Sequence, residues 1–199
     1  MVCQKCKTRI AAFLGSFFQL DGGSMKPYKP QRKTLNAAAS NGNIESIMYH
    51  LLMGADIDQK LANGHCALGG AVFNGHAQAV QFLIERGVNI NQTSQCNWSP
   101  LYIAAWKNNL EIAKLLLEAG ADTEIATVSD GYGNSPSGYT ALHWAAEQGW
   151  LSMTRLLLKY GANPKRKNGC GNKPAKLARE VDFTKVTAER RSRKKLRRH

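Results

Sequence analysis

Short apolar stripes of leucine and alanine alternate with polar turns along most of this chain, and the stripes return at a fixed interval. Leu35, Leu68, Leu101 and Leu142 open successive stripes at spacings of 33, 33 and 41 residues. Gly54, Gly87, Gly120 and Gly161 close them at the same three spacings, so the last period carries an insertion of eight residues. Two independent markers that share one period identify a supersecondary unit that repeats.

Within a period the pattern predicts a short helix, a tight turn, a second helix and a reversal. In the fourth unit Thr140 is placed to cap the first helix, while Leu142, Ala145 and Ala146 form its buried stripe. Gly149 then ends it where a left-handed backbone is needed. The second helix is predicted from Leu151 to Tyr160, with Leu156, Leu157 and Leu158 as apolar mass and Gly161-Ala162-Asn163 turning the chain back. Ala38, Ala39, Leu51 and Leu52 form the equivalent set in the first unit, and Ala104, Ala105, Leu115, Leu116 and Leu117 in the third. One such helix pair is too small to bury its apolar face alone, so stability has to come from stacking against neighbours. Function then belongs to an extended surface rather than a closed pocket.

These residues resemble the ankyrin repeat family. Its pattern of a glycine, T-P-L-H, A-A, G-H, L-L and G-A-D is met by Gly138-Tyr139-Thr140-Ala141-Leu142-His143 with Ala145-Ala146. It is met again by Ser99-Pro100-Leu101 with Ala104-Ala105, by Gly75-His76, and by Gly54-Ala55-Asp56 and Gly120-Ala121-Asp122. The resemblance implies an all-α repeat solenoid of paired antiparallel helices joined by β-hairpin loops, with four full repeats and one degenerate C-terminal repeat. That fifth unit is carried by Gly171-Asn172-Lys173-Pro174-Ala175 and Ala178. The expected organisation is a basic N-terminal arm over residues 1–32, a repeat domain over 33–181 with an insertion near 127–137, and a basic tail over 182–199.

Two departures from the family pattern matter. Unit two reads Cys66-Ala67-Leu68-Gly69-Gly70-Ala71, without the capping threonine or the histidine and with two glycines inside a helix. Each glycine costs about 1 kcal/mol relative to alanine in an exposed helix interior. Unit two is therefore expected to be the soft point, and Gly70→Ala to raise the melting temperature unless crowding requires the glycine. In unit five, beyond Phe183 and Val186, the expected apolar positions are Glu189, Arg190 and Arg191, so the array has to stop there.

Charge divides the chain differently from hydrophobicity. The net +13 splits into +6 over residues 1–44, −4 over 45–164 and +11 over 165–199. The densest run comprises Arg190, Arg191, Arg193, Lys194, Lys195, Arg197 and Arg198. Such a run suits an import receptor, nucleic acid or an anionic surface, or simply a solvated tail. It holds no aromatic residue on which bases could stack. Near the other end, Ile10, Phe13, Leu14, Phe17 and Phe18 fall on one face at helical spacing behind Lys5, Lys7 and Arg9. That pattern admits a helix capping the first repeat, a membrane-surface or targeting segment, or a secretory signal. No small-residue cleavage site follows it, and the apolar stretch is too short to span a bilayer.

The search for chemistry yields no catalytic constellation, and neither a cofactor nor a metal is expected. Cys3, Cys6, Cys66, Cys96 and Cys170 are an odd count without shared spacing, which reads as reduced thiols. Cys3 and Cys6 make half of a zinc site, and no second pair completes it. The resemblance implies that His76 and His143 bond structurally between units. Asp56, Asp58, Asp122 and Glu124 fall in closing turns, where carboxylates orient loops. Gly131, Gly133 and Gly138 lack the strand, lysine and serine of a phosphate-binding loop.

In ankyrin arrays, groove positions follow each opening glycine and each alanine pair. The resemblance places His65, Trp98, Tyr139 and Asn172 at the tips, and Ser40, Asn41, Phe73, Asn74, Trp106, Lys107, Glu147 and Gln148 at the ends of the first helices. Phe73, Trp98, Trp106 and Tyr139 are then expected to lie open in the groove, because leucine and alanine already fill the core positions. Exposed aromatics at a groove centre make a binding hot spot. The plainer alternative is that Trp98 or Trp106 packs on its neighbour and stiffens the stack.

The sequence thus points to a monomeric, non-enzymatic adaptor, nuclear or cytoplasmic, that binds a protein partner through His65, Phe73, Trp98, Trp106, Lys107, Tyr139, Glu147 and Gln148. One alternative is a nucleic-acid-associated protein using the basic tail. Another is a secreted or virus-encoded effector that competes for a host protein through the same groove.

Overall fold

The computed structural model describes residues 18–21, 24–27, 34–61, 64–94, 96–129 and 137–177. The chain divides into two units, Met1–Lys33 and Thr34–His199, and each is described by itself. In the first, β1 (Phe18–Asp21) pairs antiparallel with β2 (Ser24–Pro27), setting Phe18 opposite Pro27 and Asp21 opposite Ser24. Phe18 therefore belongs to a strand, not to the apolar face of a capping helix. Only Gly22-Gly23 separates the two strands in sequence, a dipeptide suited to a two-residue hairpin. Ile10, Phe13, Leu14 and Phe17 lie outside the described residues, as do Cys3, Cys6, residues 130–136, Ala178, Phe183, Val186 and the run from Arg190 to Arg198.

In the second unit a capping side chain stands before each of the first four first helices. Thr34 Oγ1 accepts the Ala37 N–H at 3.3 Å ahead of α1 (Leu35–Ser40). Ser99 Oγ accepts the Tyr102 N–H at 3.1 Å ahead of α5 (Pro100–Trp106), and Pro100 occupies the first turn where no N–H is missed. The turn after α5 requires a left-handed residue, and Asn108 adopts it (φ 52°) where Gly75 and Gly149 stand in adjacent units. The second helices are α2 (Ile44–Leu52), α4 (Ala77–Glu85), α6 (Leu110–Glu118) and α8 (Leu151–Lys159). Asn43 and Asn109 cap α2 and α6 by accepting the N–H groups of Ser46 and Ile112 at 2.8 and 3.0 Å.

The missing cap of unit two is supplied by sulfur. Cys66 Sγ accepts the Gly69 N–H at 3.3 Å and starts α3 (Ala67–Phe73). Both glycines of that helix sit in crowded places. A methyl group on Gly69 would come within 3.3 Å of the Cys66 sulfur, and one on Gly70 would overlap the Ser40 hydroxyl at the end of α1. Ser40 is anchored, because its carbonyl accepts from Asn74 Nδ2 at 2.9 Å and from His76 Nε2 at 3.0 Å. Crowding from α1 is thus the condition under which Gly70→Ala loses its expected benefit.

First helices pack in series from α1 through α3, α5 and α7 (Ala141–Glu147) to α9 (Pro174–Leu177), and second helices from α2 through α4 and α6 to α8. The four opening leucines and the alanine pairs are buried between the layers, and Ile47, Val80, Leu83, Ile112, Leu116, Met153 and Leu157 complete the core. The small alanines let adjacent helices approach closely. Leu52 departs from its expected place in this apolar mass, being 62% exposed. One and more periods on, its position is held by Glu85, Glu118 and Lys159, on the solvent side of the second helix.

Hairpins join the repeats in constant register. Leu61, Ser94, Thr127 and Asn168 donate their N–H groups to the carbonyls of His65, Trp98, Tyr139 and Asn172 at 2.8 to 3.1 Å. The eight inserted residues fall between Thr127 and Tyr139, so pairing at the base of that hairpin keeps the register of its neighbours. In the closing turns, Asp56, Asn89, Asp122 and Asn163 accept the N–H two residues on at 2.8 to 3.1 Å. Asp58, Asn91 and Glu124 reach across to the N–H groups of Asn89, Asp122 and Asn163 at 2.8 to 2.9 Å. The acids of these turns therefore orient loops.

His143 is fully buried in α7 and ties two elements together. Its Nδ1 accepts the Thr140 N–H at 3.2 Å, which leaves Nε2–H to donate to the carbonyls of Arg166 and Asn172 at 3.1 and 3.3 Å. Burial holds its pKa below the ordinary 6.5. Asn36 occupies the same place in the first unit, and its Nδ2 donates to the carbonyls of Gln59 and His65 at 3.3 and 3.1 Å. Those acceptors stand at the same offsets in sequence, 23 and 29 residues on, as the two acceptors of His143.

Candidate partner-binding face

The last turns of the first helices and the hairpins before them place a run of aromatic rings across units two to four. Phe73 ends α3 and stacks on Trp106, which ends α5, at 5.8 Å between ring centroids. Trp98, in the hairpin before α5, packs on Trp106 at 5.7 Å and on Tyr102 at 5.6 Å. Tyr102 in turn lies 6.5 Å from Trp144 of α7. Phe73 is 42% exposed, Trp98, Trp106 and Trp144 are half-buried, and Tyr102 is buried. The two tryptophans expected in the groove thus both pack on neighbours and keep part of their surface open, a geometry that presents aromatic area with little rotational freedom left to lose.

Lys107 completes the patch. It caps the C-terminal end of α5, and its ammonium lies 4.2 Å from the Phe73 ring centroid and 4.7 Å from that of Trp106. Ring quadrupoles hold a cation in this position by about 0.5–1 kcal/mol at an exposed site. His65 is exposed at its hairpin, Gln148 is exposed at the end of α7, and Glu147 beside it is half-buried.

Tyr139 corrects the sequence expectation. It is only 7% exposed, with its ring 5.6 Å from that of His143 and its backbone N–H donated to Thr127 Oγ1. Burial, and then the Glu147 carboxylate that accepts its hydroxyl, push the phenol pKa up. The His143 ring, Glu147 and Asn168 hold this side chain, so Tyr139 supports the wall of the face instead of presenting a ring. Trp144 and Tyr102 were the aromatics that the groove rule passed over. Trp144 precedes Glu147 and Gln148 by three and four residues, the helical spacing that sets side chains on one face, and that spacing could have found it. Tyr102 stands where the family carries its histidine, and only the rings around it show its part in the cluster.

Among the described residues no group of three His, Cys, Asp or Glu side chains is placed to hold a metal ion. Cys66 is buried and its pKa is raised by that burial, the opposite of an activated thiol. No helix among the described residues is long and apolar enough to cross a membrane.

Comparison with known proteins agrees with this architecture. The family model described as "Ankyrin repeats (3 copies)" matches residues 35–127, and that described as "Ankyrin repeat" matches residues 137–169. Human "Ankyrin repeat and SOCS box protein 11" is 36% identical over 80 residues, covering 40% of this chain and 22% of that protein. "Palmitoyltransferase ZDHHC13" of Mus musculus is 41% identical over 75 residues, covering 38% of this chain and 11% of its own length. "Glycerophosphocholine phosphodiesterase GDE1" of Candida albicans is 36% identical over 67 residues, covering 34% and 5%. The chain therefore spans less than a quarter of each of these relatives, and the likeness is that of a shared repeat module. With its period, its repeated hairpin register, its capped helix pairs and two family models matched along the array, the chain belongs to the ankyrin repeat family.

Proposed function

We propose that this chain is a non-enzymatic adaptor that recruits a protein partner onto the aromatic face of repeats two to four. Ankyrin repeats serve protein–protein interaction in general. The observation that carries it is the set of Phe73, Trp106 and Trp98, joined to Trp144 through the buried Tyr102 and left partly open beside Lys107. Rigid aromatic area at the centre of a surface is the material of a hot spot, and His65, Glu147 and Gln148 supply the polar surround. The basic run from Arg190 to Arg198 adds nuclear targeting or contact with an anionic surface, which would place the protein in the nucleus or cytoplasm.

Affinity purification from cell lysate, comparing wild type with the Trp98→Ala, Trp106→Ala double variant, tests the face. Proteins retained by the wild type should be lost from the variant while far-ultraviolet circular dichroism stays unchanged. For a purified partner, Trp106→Ala alone should cost about 2 kcal/mol of binding. Unchanged affinity in a folded variant would refute the assignment. Imaging a deletion of residues 190–198 tests the tail separately, and a nucleic-acid role would show as affinity that falls steeply with salt and vanishes with the run.

A further inference from the structure

Lys107 gives the face a polarity that the rings alone do not. Its ammonium is seated over Phe73 and Trp106, and among the described residues no carboxylate lies within ion-pair distance of it. Glu147, at the end of the next first helix, accepts the Tyr139 hydroxyl and is not ion-paired with Lys107. The other helix-end positions carry neutral amides, Asn41, Asn74 and Gln148. The patch therefore presents one positive charge bordered by aromatic surface and, among the described residues, without an ion-pair partner.

Resting on the proposed use of this face, we infer that the occupant is an extended acidic segment of a partner protein, with an aspartate or glutamate close in sequence to an aromatic or long aliphatic side chain. The carboxylate seats on Lys107, and the apolar side chain covers the open surface of Trp98, Trp106 and Trp144. A cation approaching Phe73 or Trp106 is disfavoured, because those ring faces already hold the Lys107 ammonium, which would repel it. Two helix-to-helix steps of about 8–10 Å separate Phe73 from Trp144. An extended chain covers that span with about six residues.

Selection of a random dodecapeptide library on phage against the full chain tests this, with Trp106→Ala and Lys107→Glu selected in parallel. Both variants keep the basic tail, so peptides that merely adhere to it bind all three proteins alike and are set aside. The expected result is that Trp106-dependent peptides combine an acid with an apolar neighbour, lose about tenfold or more in affinity on Lys107→Glu, and are replaced there by basic sequences. Trp106-dependent peptides without an acid, or with affinity unaltered by Lys107→Glu, would overturn the inference. Equal, Lys107-dependent binding of poly(dT) would overturn it in favour of nucleic acid. If no Trp106-dependent peptide emerges, the acidic segment is refuted, and retention of lysate proteins that require Trp98 and Trp106 then decides whether the face itself survives.

Discussion

Replacing Gly70 by alanine measures how closely the first two repeats approach. Alanine in a helix interior gains about 1 kcal/mol over glycine. Against this, the new methyl group meets the Ser40 hydroxyl, while Ser40 Cβ and Cα lie at 3.4 and 3.6 Å, close to ordinary contact. The backbone of Ser40 is pinned through its carbonyl by Asn74 and His76, so the strain falls on the hydroxyl, which has to turn away. Holding it off its preferred rotamer costs about 1 kcal/mol. The single variant should consequently be close to neutral, whereas Gly70→Ala made in a Ser40→Ala background should stabilise by about 1 kcal/mol. Urea unfolding followed by far-ultraviolet circular dichroism reads both, and a gain of that size moves the melting temperature by about 2–4 °C in a domain of this length. A double-mutant coupling below about 0.3 kcal/mol would refute the crowding argument.

His143→Ala removes the cap acceptor and the donor shared by two carbonyls from a fully buried site, and should cost about 3 kcal/mol; His143→Asn should cost less, since Asn36 makes the corresponding bonds. Because burial lowers the folded pKa of His143 below 6.5, the unfolded chain takes up the proton first. Its contribution is intact above that value and is lost as pH falls through it toward the folded pKa, so thermal unfolding from about pH 8 to pH 5 should be flatter for His143→Asn than for wild type. Gly42→Ala should destabilise more than Gly54→Ala: both have positive φ, of 68° and 84°, but a methyl group at Gly42 comes within 2.7 Å of the His76 ring and one at Gly54 meets nothing within 4 Å. Left-handed strain alone costs about 1–2 kcal/mol, and equal losses in chemical denaturation would remove the ring contact as a cause. Under limiting iodoacetamide, peptide mapping should find the exposed Cys170 alkylated well before the buried Cys66, and the reverse order would contradict the capping role of that thiol.

The chain's own sequence determined the period and the helix pairs, because each follows from local spacing and capping that recurs every 33 residues, while the hairpin loops and the structural duties of His76 and His143 came from the family resemblance that the period supports. The tertiary structure decided what depends on two repeats meeting. Cys66 replaces a threonine cap, Asn36 replaces a histidine, and Gly70 yields to Ser40, none of which a family pattern read one unit at a time could reveal. Leu52 turns to solvent because its register matches charged residues elsewhere in the array. Tyr139 looked like a groove aromatic by position, yet it is buried against the His143 ring and Glu147, while Trp144 takes its place beside Tyr102. Exposure is a property of neighbours brought together across units, and no periodicity along the chain encodes it.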